Sequence, residues 1–194
     1  MKYDILIAGV GGQGTVLASK LLAAAAIEAG YFVRTSETIG MAQRGGCVVS
    51  HVRIGDEQVS PIIPYTSADL IIGFEPSEAA RNIGRLKQNG KCILNTRAIK
   101  PVTASLNNGS YDVEAIYNFL IKNSSEAVMV DGYDLAQQVG SVKALNTVLL
   151  GVAAASGNMP FGKEHLEKVI SKNVSKKYVD LNIKAFNIGV SYKK

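Results

Sequence analysis

The chain has 194 residues, 47% of them hydrophobic and 19% charged, a balance that supports one substantial core and excludes a disordered polypeptide. Its net charge of +5 sits at the C-terminal end, where residues 163–194 hold eight lysines against Glu164, Glu167 and Asp180. That tail carries no arginine, so a solvated helix face is expected there rather than a nucleic-acid footprint, with an acidic partner surface as the alternative.

From Met1 to Asp4 the chain leads into an apolar run with neither a signal-peptide layout nor a stretch of about 18 apolar residues. A cytoplasmic protein without a membrane contact is expected. Tyr3 to Ala8 reads as a strand buried on both faces, and Thr15 to Ala29 as an Ala- and Leu-rich helix closed by Gly30. Tyr31 to Thr35 reads as the next strand, Ser36 to Gly46 as a polar loop, and Cys47 to Ile54 as a third strand. Pro61 and Pro64 bracket a connection. Then come a strand from Ala68 to Phe74, a helix from Ser77 to Lys87 and a strand from Lys91 to Asn95. Ser105 to Ser110 reads as an exposed loop, Val113 to Ile121 as a helix and Ala127 to Val130 as a strand. Val142 to Ala155 is apolar nearly all round and is expected to be a buried helix; Lys163 to Ile170 and Lys176 to Val190 are amphipathic. No internal repeat or low-complexity tract interrupts this order. The expected architecture is a single α/β domain over residues 1–194, a Rossmann-like, mainly parallel sheet with helices on both faces and C-terminal helices.

Gly9-Val10-Gly11-Gly12-Gln13-Gly14 fits G-x-G-x-x-G between a strand and a helix. Glycines allow a tight turn and close approach, and free N–H groups at the helix start offer an anion site. The same loop can equally serve only to pack strand on helix. A dinucleotide site also needs an acid about 20 residues on, to bond the ribose hydroxyls. Arg34 occupies that place and Glu37 comes late, so a phosphate-bearing ligand fits better than NAD. No tyrosine has a lysine four residues later, which removes the short-chain reductases.

The segment from Ser36 through Arg44-Gly45-Gly46 places a cation beside two permissive backbone positions, at an edge where α/β sheets bind ligands or partners. Along the following strand, alternation puts Cys47, Val49, His51 and Arg53 on one face and Val48, Ser50, Val52 and Ile54 on the other. Arg34, Gly45, Gly46, Ser50, His51 and Arg53 are therefore interface or ligand candidates. His51 has the chemistry of a general base, but no nucleophile accompanies it, and a structural or interface role is the main reading. His165 lies on a lysine-rich helix and reads as solvated. Glu75, Glu78 and Arg81 open the helix after Phe74, where capping and pairing explain them. Cys47 and Cys92 read as reduced core residues, too few for an iron–sulfur or structural zinc site.

Taken together, Gly9–Gly14, Met41-Ala42-Gln43-Arg44-Gly45-Gly46, Ser50-His51-Val52-Arg53, Phe74-Glu75-Pro76 with Glu78–Arg81, Asn95-Thr96, Asn146–Gly151 and Asn182–Gly189 resemble the gamma-type domain of 2-oxoacid:ferredoxin oxidoreductases. The likeness covers nearly the whole chain. It implies a subunit, inactive alone, of a complex that converts a 2-oxoacid and coenzyme A into acyl-CoA, carbon dioxide and reduced ferredoxin. The implied substrate is an aryl pyruvate such as indolepyruvate, with pyruvate, 2-oxoglutarate and branched-chain oxoacids, which relatives also serve, left open. Thiamine diphosphate and iron–sulfur clusters would belong to partner subunits, and this chain would bind neither. The resemblance points to Gly9, Gly11, Gly12, Gln13, Gly14 and Arg44 as coenzyme A contacts and assigns no catalytic or metal-ligating residue. The rival reading is a stand-alone nucleotide- or coenzyme A-binding regulatory module.

Overall fold

The computed structural model describes residues 1–40, 45–55, 60–100, 111–156 and 159–193. The chain opens with β1 (Lys2–Val10), α1 (Thr15–Glu28), β2 (Phe32–Ile39) and β3 (Cys47–Gly55). It continues through β4 (Ala68–Gly73), α2 (Pro76–Asn82), β5 (Leu86–Asn95), α3 (Val113–Lys122) and β6 (Glu126–Val130). Four helices follow: α4 (Gly132–Gln138), α5 (Leu145–Ala155), α6 (Lys163–Asn173) and α7 (Val179–Val190).

The six strands form one sheet in the order β2-β3-β1-β4-β5-β6. β1, β4, β5 and β6 pair in parallel, while β3 runs antiparallel to both β1 and β2. The mainly parallel α/β sheet expected from the alternation is present, with one strand reversed. The reason is the connection: a parallel crossover needs a dozen or more residues, and only 40–46 separate β2 from β3.

Ile5, Leu6, Ile7 and Ala8 are all fully buried because both faces of the sheet are covered. Ile5 and Ile7 join Val52, Ile54, Leu21, Leu22, Leu149 and Phe186 in the larger core, beneath α1, α5, α6 and α7. Leu6 and Ala8 join Ile71, Cys92, Leu94, Ala79 and Leu120 in the smaller core, beneath α2 and α3. The alternation along β3 holds, with Val52 and Ile54 in the first layer and Val49 against the second.

Two boundaries and one added helix depart from expectation. Ser36 to Ile39 continues β2 rather than beginning a loop, because these residues pair in register with His51 to Val48. The helix expected to reach Lys87 ends at Asn82 and passes through a 3-10 turn, Ile83–Arg85, since Leu86 is drawn into the core and pairs with Ala68. Pairing then resumes at Leu70 and Lys91, so 87–90 loop out of the ladder. Helix α4 was not expected; Asp131 starts it by accepting from the Asp134 N–H at 3.0 Å. Gly30 closes α1 as foreseen: at φ 89° it donates to Ile27 O, and Tyr31 donates to Ala26 O, the two bonds of a Schellman turn. The predicted loop from Ser105 to Ser110 lies outside the described residues.

The lysine-rich C-terminal surface is partly paired: Lys168 and Lys172 of α6 both reach Glu28 at the end of α1. No described helix is long and apolar enough to cross a membrane.

Candidate functional site

The carboxyl ends of β1, β4, β5 and β6 share one edge with the start of β3 and the end of β2. The two glycine-bearing loops singled out in the sequence meet there: the Gly11 N–H donates to the Gly46 carbonyl at 2.9 Å. Gly12 (φ 101°), Gly14 (φ 83°) and Gly45 (φ 72°) hold left-handed backbone that a side chain would strain. Gly9 is different. It sits in the strand, and a Cβ there would lie 2.8 Å from the Phe74 Cβ and 2.9 Å from Thr15 Cγ2, so its missing side chain serves packing.

Gln13 also turns inward. Its Oε1 accepts from the Val10 N–H at 2.9 Å and its Nε2 donates to the Phe74 carbonyl at 2.9 Å, with the residue 7% exposed. Asn95 Nδ2 donates to the same carbonyl at 3.0 Å, while its Oδ1 accepts from the Gly132 N–H. α1 and α2 leave β1 and β4 toward opposite faces, which makes the gap between these strands the usual ligand crevice of such sheets. Here the Gln13 amide bridges that gap, and Asn95 ties the end of β5 to those of β4 and β6. Both ends of the Gln13 amide are engaged within the fold, while the residue still borders the cavity described next.

An open cavity lies instead on the α1 side of the glycine loop. It holds about 310 Å³ and is lined by Gly12, Gly14, Leu17, Tyr133, Lys143 and Asn146, among others. α1 starts from Gly14 with no side-chain cap, so first-turn N–H groups are left for solvent or a ligand. Asn146 is 3% exposed; its Oδ1 accepts from the Thr147 N–H at 2.9 Å, and its Nδ2, which takes no partner among the described residues, faces Gly14. Lys143 adds a cation, and no described carboxylate lines the cavity. Arg97 stacks over the Tyr133 ring at 4.4 Å, placing a second cation by this edge. Helix end, amide and ammonium together suit an anion.

Leu17, Lys143 and Asn146 also line a neighbouring groove of about 500 Å³, which runs on past Val174, Tyr178, Leu181 and Asn182. Its wall is fixed by a polar chain between α5 and α7: Thr147 Oγ1 donates to Asn182 Oδ1 at 2.7 Å, and Asn182 Nδ2 donates to the Tyr178 carbonyl at 2.9 Å. On the other flank of the edge Glu75 is fully buried, accepting from the Glu78 N–H at 3.0 Å, the Ile99 N–H at 3.2 Å and the Ser77 and Tyr111 hydroxyls. It caps α2 as expected and in addition ties down the chain on either side of 101–110. Burial and the bond to Glu75 push the Tyr111 hydroxyl up to about 12. Glu78 is likewise raised by burial, with Arg81 at 3.5 Å as its exposed counter-ion.

The remaining candidates fall elsewhere. Arg34 pairs across β3 with Arg53, which pairs with Asp4, so it lies about 20 Å along the sheet from the glycine loop. There it is exposed, with its guanidinium 5.0 Å over the Phe32 ring. Arg34 is distant from that loop because it stands near the start of β2, level with Asp4 in the register, and not at the carboxyl end of the strand. Arg53 is buried against Asp4, and His51 is buried beside it. Desolvation, then Arg85 and Arg53, lower the His51 pKa to about 4, which leaves it neutral and unsuited to general base work near pH 7. Ser50 is buried, and its hydroxyl finds no partner among the described residues. Arg44, with Met41 to Gln43, lies outside the described residues.

Sequence reasoning missed Tyr133, Lys143, Arg97, Tyr178 and the individual part of Asn146. The one local signal was Asp131 followed by Asp134, a cap with an acid in the first turn, which marks α4 and so Tyr133. The others converge only through tertiary contacts.

Comparisons with known proteins concern the family and the fold. A family model described as pyruvate ferredoxin/flavodoxin oxidoreductase matches residues 4–192. Indolepyruvate oxidoreductase subunit IorB of Archaeoglobus fulgidus is 43% identical over 190 residues, spanning 97% of this chain and 94% of the relative. Among solved structures, the gamma subunit of a keto/oxoacid ferredoxin oxidoreductase from Geobacter sulfurreducens has a TM-score of 0.72 at 26% identity, covering 97% of this chain and 96% of that one. Pyruvate oxidoreductase subunit PORC from Thermotoga maritima has a TM-score of 0.71 at 26% identity, covering 98% and 96%.

Proposed function

The chain belongs to the pyruvate ferredoxin/flavodoxin oxidoreductase family and is a subunit of a 2-oxoacid ferredoxin oxidoreductase, and from that premise we propose that it forms the coenzyme A-receiving wall of the complex. In this reading one domain over residues 1–194 works in the cytoplasm beside thiamine- and iron–sulfur-bearing partner subunits and is inactive without them. The assembled enzyme converts an aryl pyruvate such as indolepyruvate, with coenzyme A, to acyl-CoA and carbon dioxide. The two electrons released pass to ferredoxin through the partners.

The observation that carries the proposal is the cleft at the glycine loop. The start of α1, Asn146 Nδ2 and Lys143 converge on a mainly apolar pocket beside the longer groove past Tyr178 and Leu181. Coenzyme A combines phosphates with an extended pantetheine arm. The phosphates match the helix end and the ammonium, and the arm matches the groove. Gly12 and Gly14 let a phosphate approach the backbone closely. Arg44, directly before Gly45-Gly46 in the sequence, is assigned as a further phosphate contact on the family resemblance.

The test is steady-state kinetics of the reconstituted complex. Lys143→Ala and Asn146→Ala should each raise KM for coenzyme A about tenfold or more and leave KM for the oxoacid alone, as expected for one charge-assisted hydrogen bond. Unchanged coenzyme A dependence in both variants refutes the assignment. If the isolated chain is found without partners and retains coenzyme A, a stand-alone binding module is the better description.

A further inference from the structure

We infer that Arg97 receives the 3′-phosphate of coenzyme A and so makes the cleft selective for coenzyme A over its dephospho form. The inference rests on the coenzyme A reading of the cleft and adds a specificity residue to it.

Arg97 is fixed in place by the chain around it. The Thr96 N–H donates to the Val130 carbonyl at 2.8 Å, and the Thr96 carbonyl accepts from the Tyr117 hydroxyl. Two residues beyond Arg97, the Ile99 N–H donates to the buried Glu75 carboxylate at 3.2 Å. Asn95 is fully buried; its Nδ2 donates to the Arg97 carbonyl at 3.4 Å and its Oδ1 accepts from the Gly132 N–H at 3.1 Å. Gly132 opens α4 and is followed by Tyr133. One amide therefore sets both sides of the contact in which the Arg97 guanidinium lies 4.4 Å over the Tyr133 ring. Stacking occupies a face of the guanidinium and leaves the planar fork of N–H groups at its edge free to donate.

That fork is unspent. Arg53 donates to Asp4, Arg81 pairs with Glu78 and Arg85 donates to the Ile63 carbonyl. The Arg97 guanidinium, on an exposed residue, has no carboxylate or carbonyl acceptor among the described residues. Arg34 shares this state, but at the far end of the sheet.

The cleft has a place for the group such a fork binds. Leu17, Lys143 and Asn146 line both the cavity of about 310 Å³ and the groove of about 500 Å³. A pyrophosphate at these shared residues lies beside the uncapped start of α1 and the Asn146 Nδ2, which is buried and takes no partner among the described residues. From there the pantetheine arm runs into the groove, and the adenosine runs the other way, into the cavity toward Tyr133. Coenzyme A carries its remaining phosphate on the 3′-oxygen of that adenosine, one sugar away from the pyrophosphate. Arg97 stands one aromatic ring beyond the cavity wall. A terminal phosphate offers paired oxygens, for which a guanidinium edge is a bidentate partner and an ammonium only a point charge. No described carboxylate lines the cavity to oppose that second anion.

The experiment is steady-state kinetics of the reconstituted complex with coenzyme A and dephospho-coenzyme A as alternative acyl acceptors. The wild type should show a KM for the dephospho form at least about tenfold above that for coenzyme A, the loss expected for one charge-assisted pair. Arg97→Ala should raise KM for coenzyme A by about that factor and leave KM for the dephospho form within about twofold, so that the two converge. If Arg97→Ala lowers the unfolding midpoint, Arg97→Gln keeps the side chain's reach without its charge and gives the same comparison. Equal KM values for the two acceptors in the wild type overturn the proposal. So does an Arg97 variant that raises both alike, which would make Arg97 a pyrophosphate contact or a support for Tyr133. Lys143→Ala tests the parent reading separately: it should raise KM for both acceptors alike, and no change in either defeats the coenzyme A cleft itself.

Discussion

Asp4 and Arg53 meet across the β1–β3 ladder as a fork on a fork, with Arg53 Nε 2.9 Å from Asp4 Oδ1 and Nη2 3.1 Å from Oδ2, at 0% and 4% exposure. Two charges are retained inside the sheet layer because each satisfies the other and Arg53 spends its remaining N–H on the loop that follows β3.

Removing one partner leaves the other charge buried without compensation. Asp4→Asn should lower the unfolding free energy by about 3–5 kcal/mol. Guanidinium denaturation of the purified chain measures this, and a loss under about 1 kcal/mol would mean the pair is already solvated.

His51 gives a pH dependence whose sign is fixed. Its folded pKa of about 4 lies below the ordinary value of about 6.5, so the native state stays neutral while the unfolded chain takes up a proton. Its contribution is complete above about pH 6.5 and is lost as pH falls from there toward 4, as the linkage relation requires. The neutral ring accepts from the Ile63 N–H, and the groups facing it include Arg85, Arg53 and Asp4. Between pH 7.5 and 4.5, His51→Gln should flatten the decline of unfolding free energy by about 2–3 kcal/mol. Parallel wild-type and variant profiles would show that the ring protonates as readily in the native state as in the unfolded one.

Three glycines separate close approach from backbone freedom. A Cβ on Gly151 would stand 2.2 Å from the Phe186 carbonyl oxygen, and one on Gly189 would stand 2.2 Å from the Val148 carbonyl oxygen, so α5 and α7 cross with backbone against backbone. Gly30 has positive φ but open space around it. Gly151→Ala should cost about 3 kcal/mol or more by forcing the helices apart, and Gly30→Ala only about 1 kcal/mol. Thermal melts rank the two, and equal shifts would remove the close-packing argument.

Local pattern reached the elements whose cause is local. The apolar run before the glycines, the Gly30 stop, the two-sided alternation of β3 and the all-round burial of α5 follow from side-chain period and glycine backbone preference, and each is found where the residues place it. The short connection at 40–46 also encodes the reversal of β3, because so few residues cannot carry a parallel crossover. What one sequence does not carry is which strands become neighbours. The register sets Arg34 level with Asp4 at the far end of the sheet, while Gln13 bridges the β1–β4 gap to the Phe74 carbonyl. The same packing brings Lys143 and Asn146, more than 120 residues on, beside Gly14. Hydrogen-bond ladders are indifferent to side-chain identity along the pair they join, so strand order was decided by how the two cores fill, and with it the site.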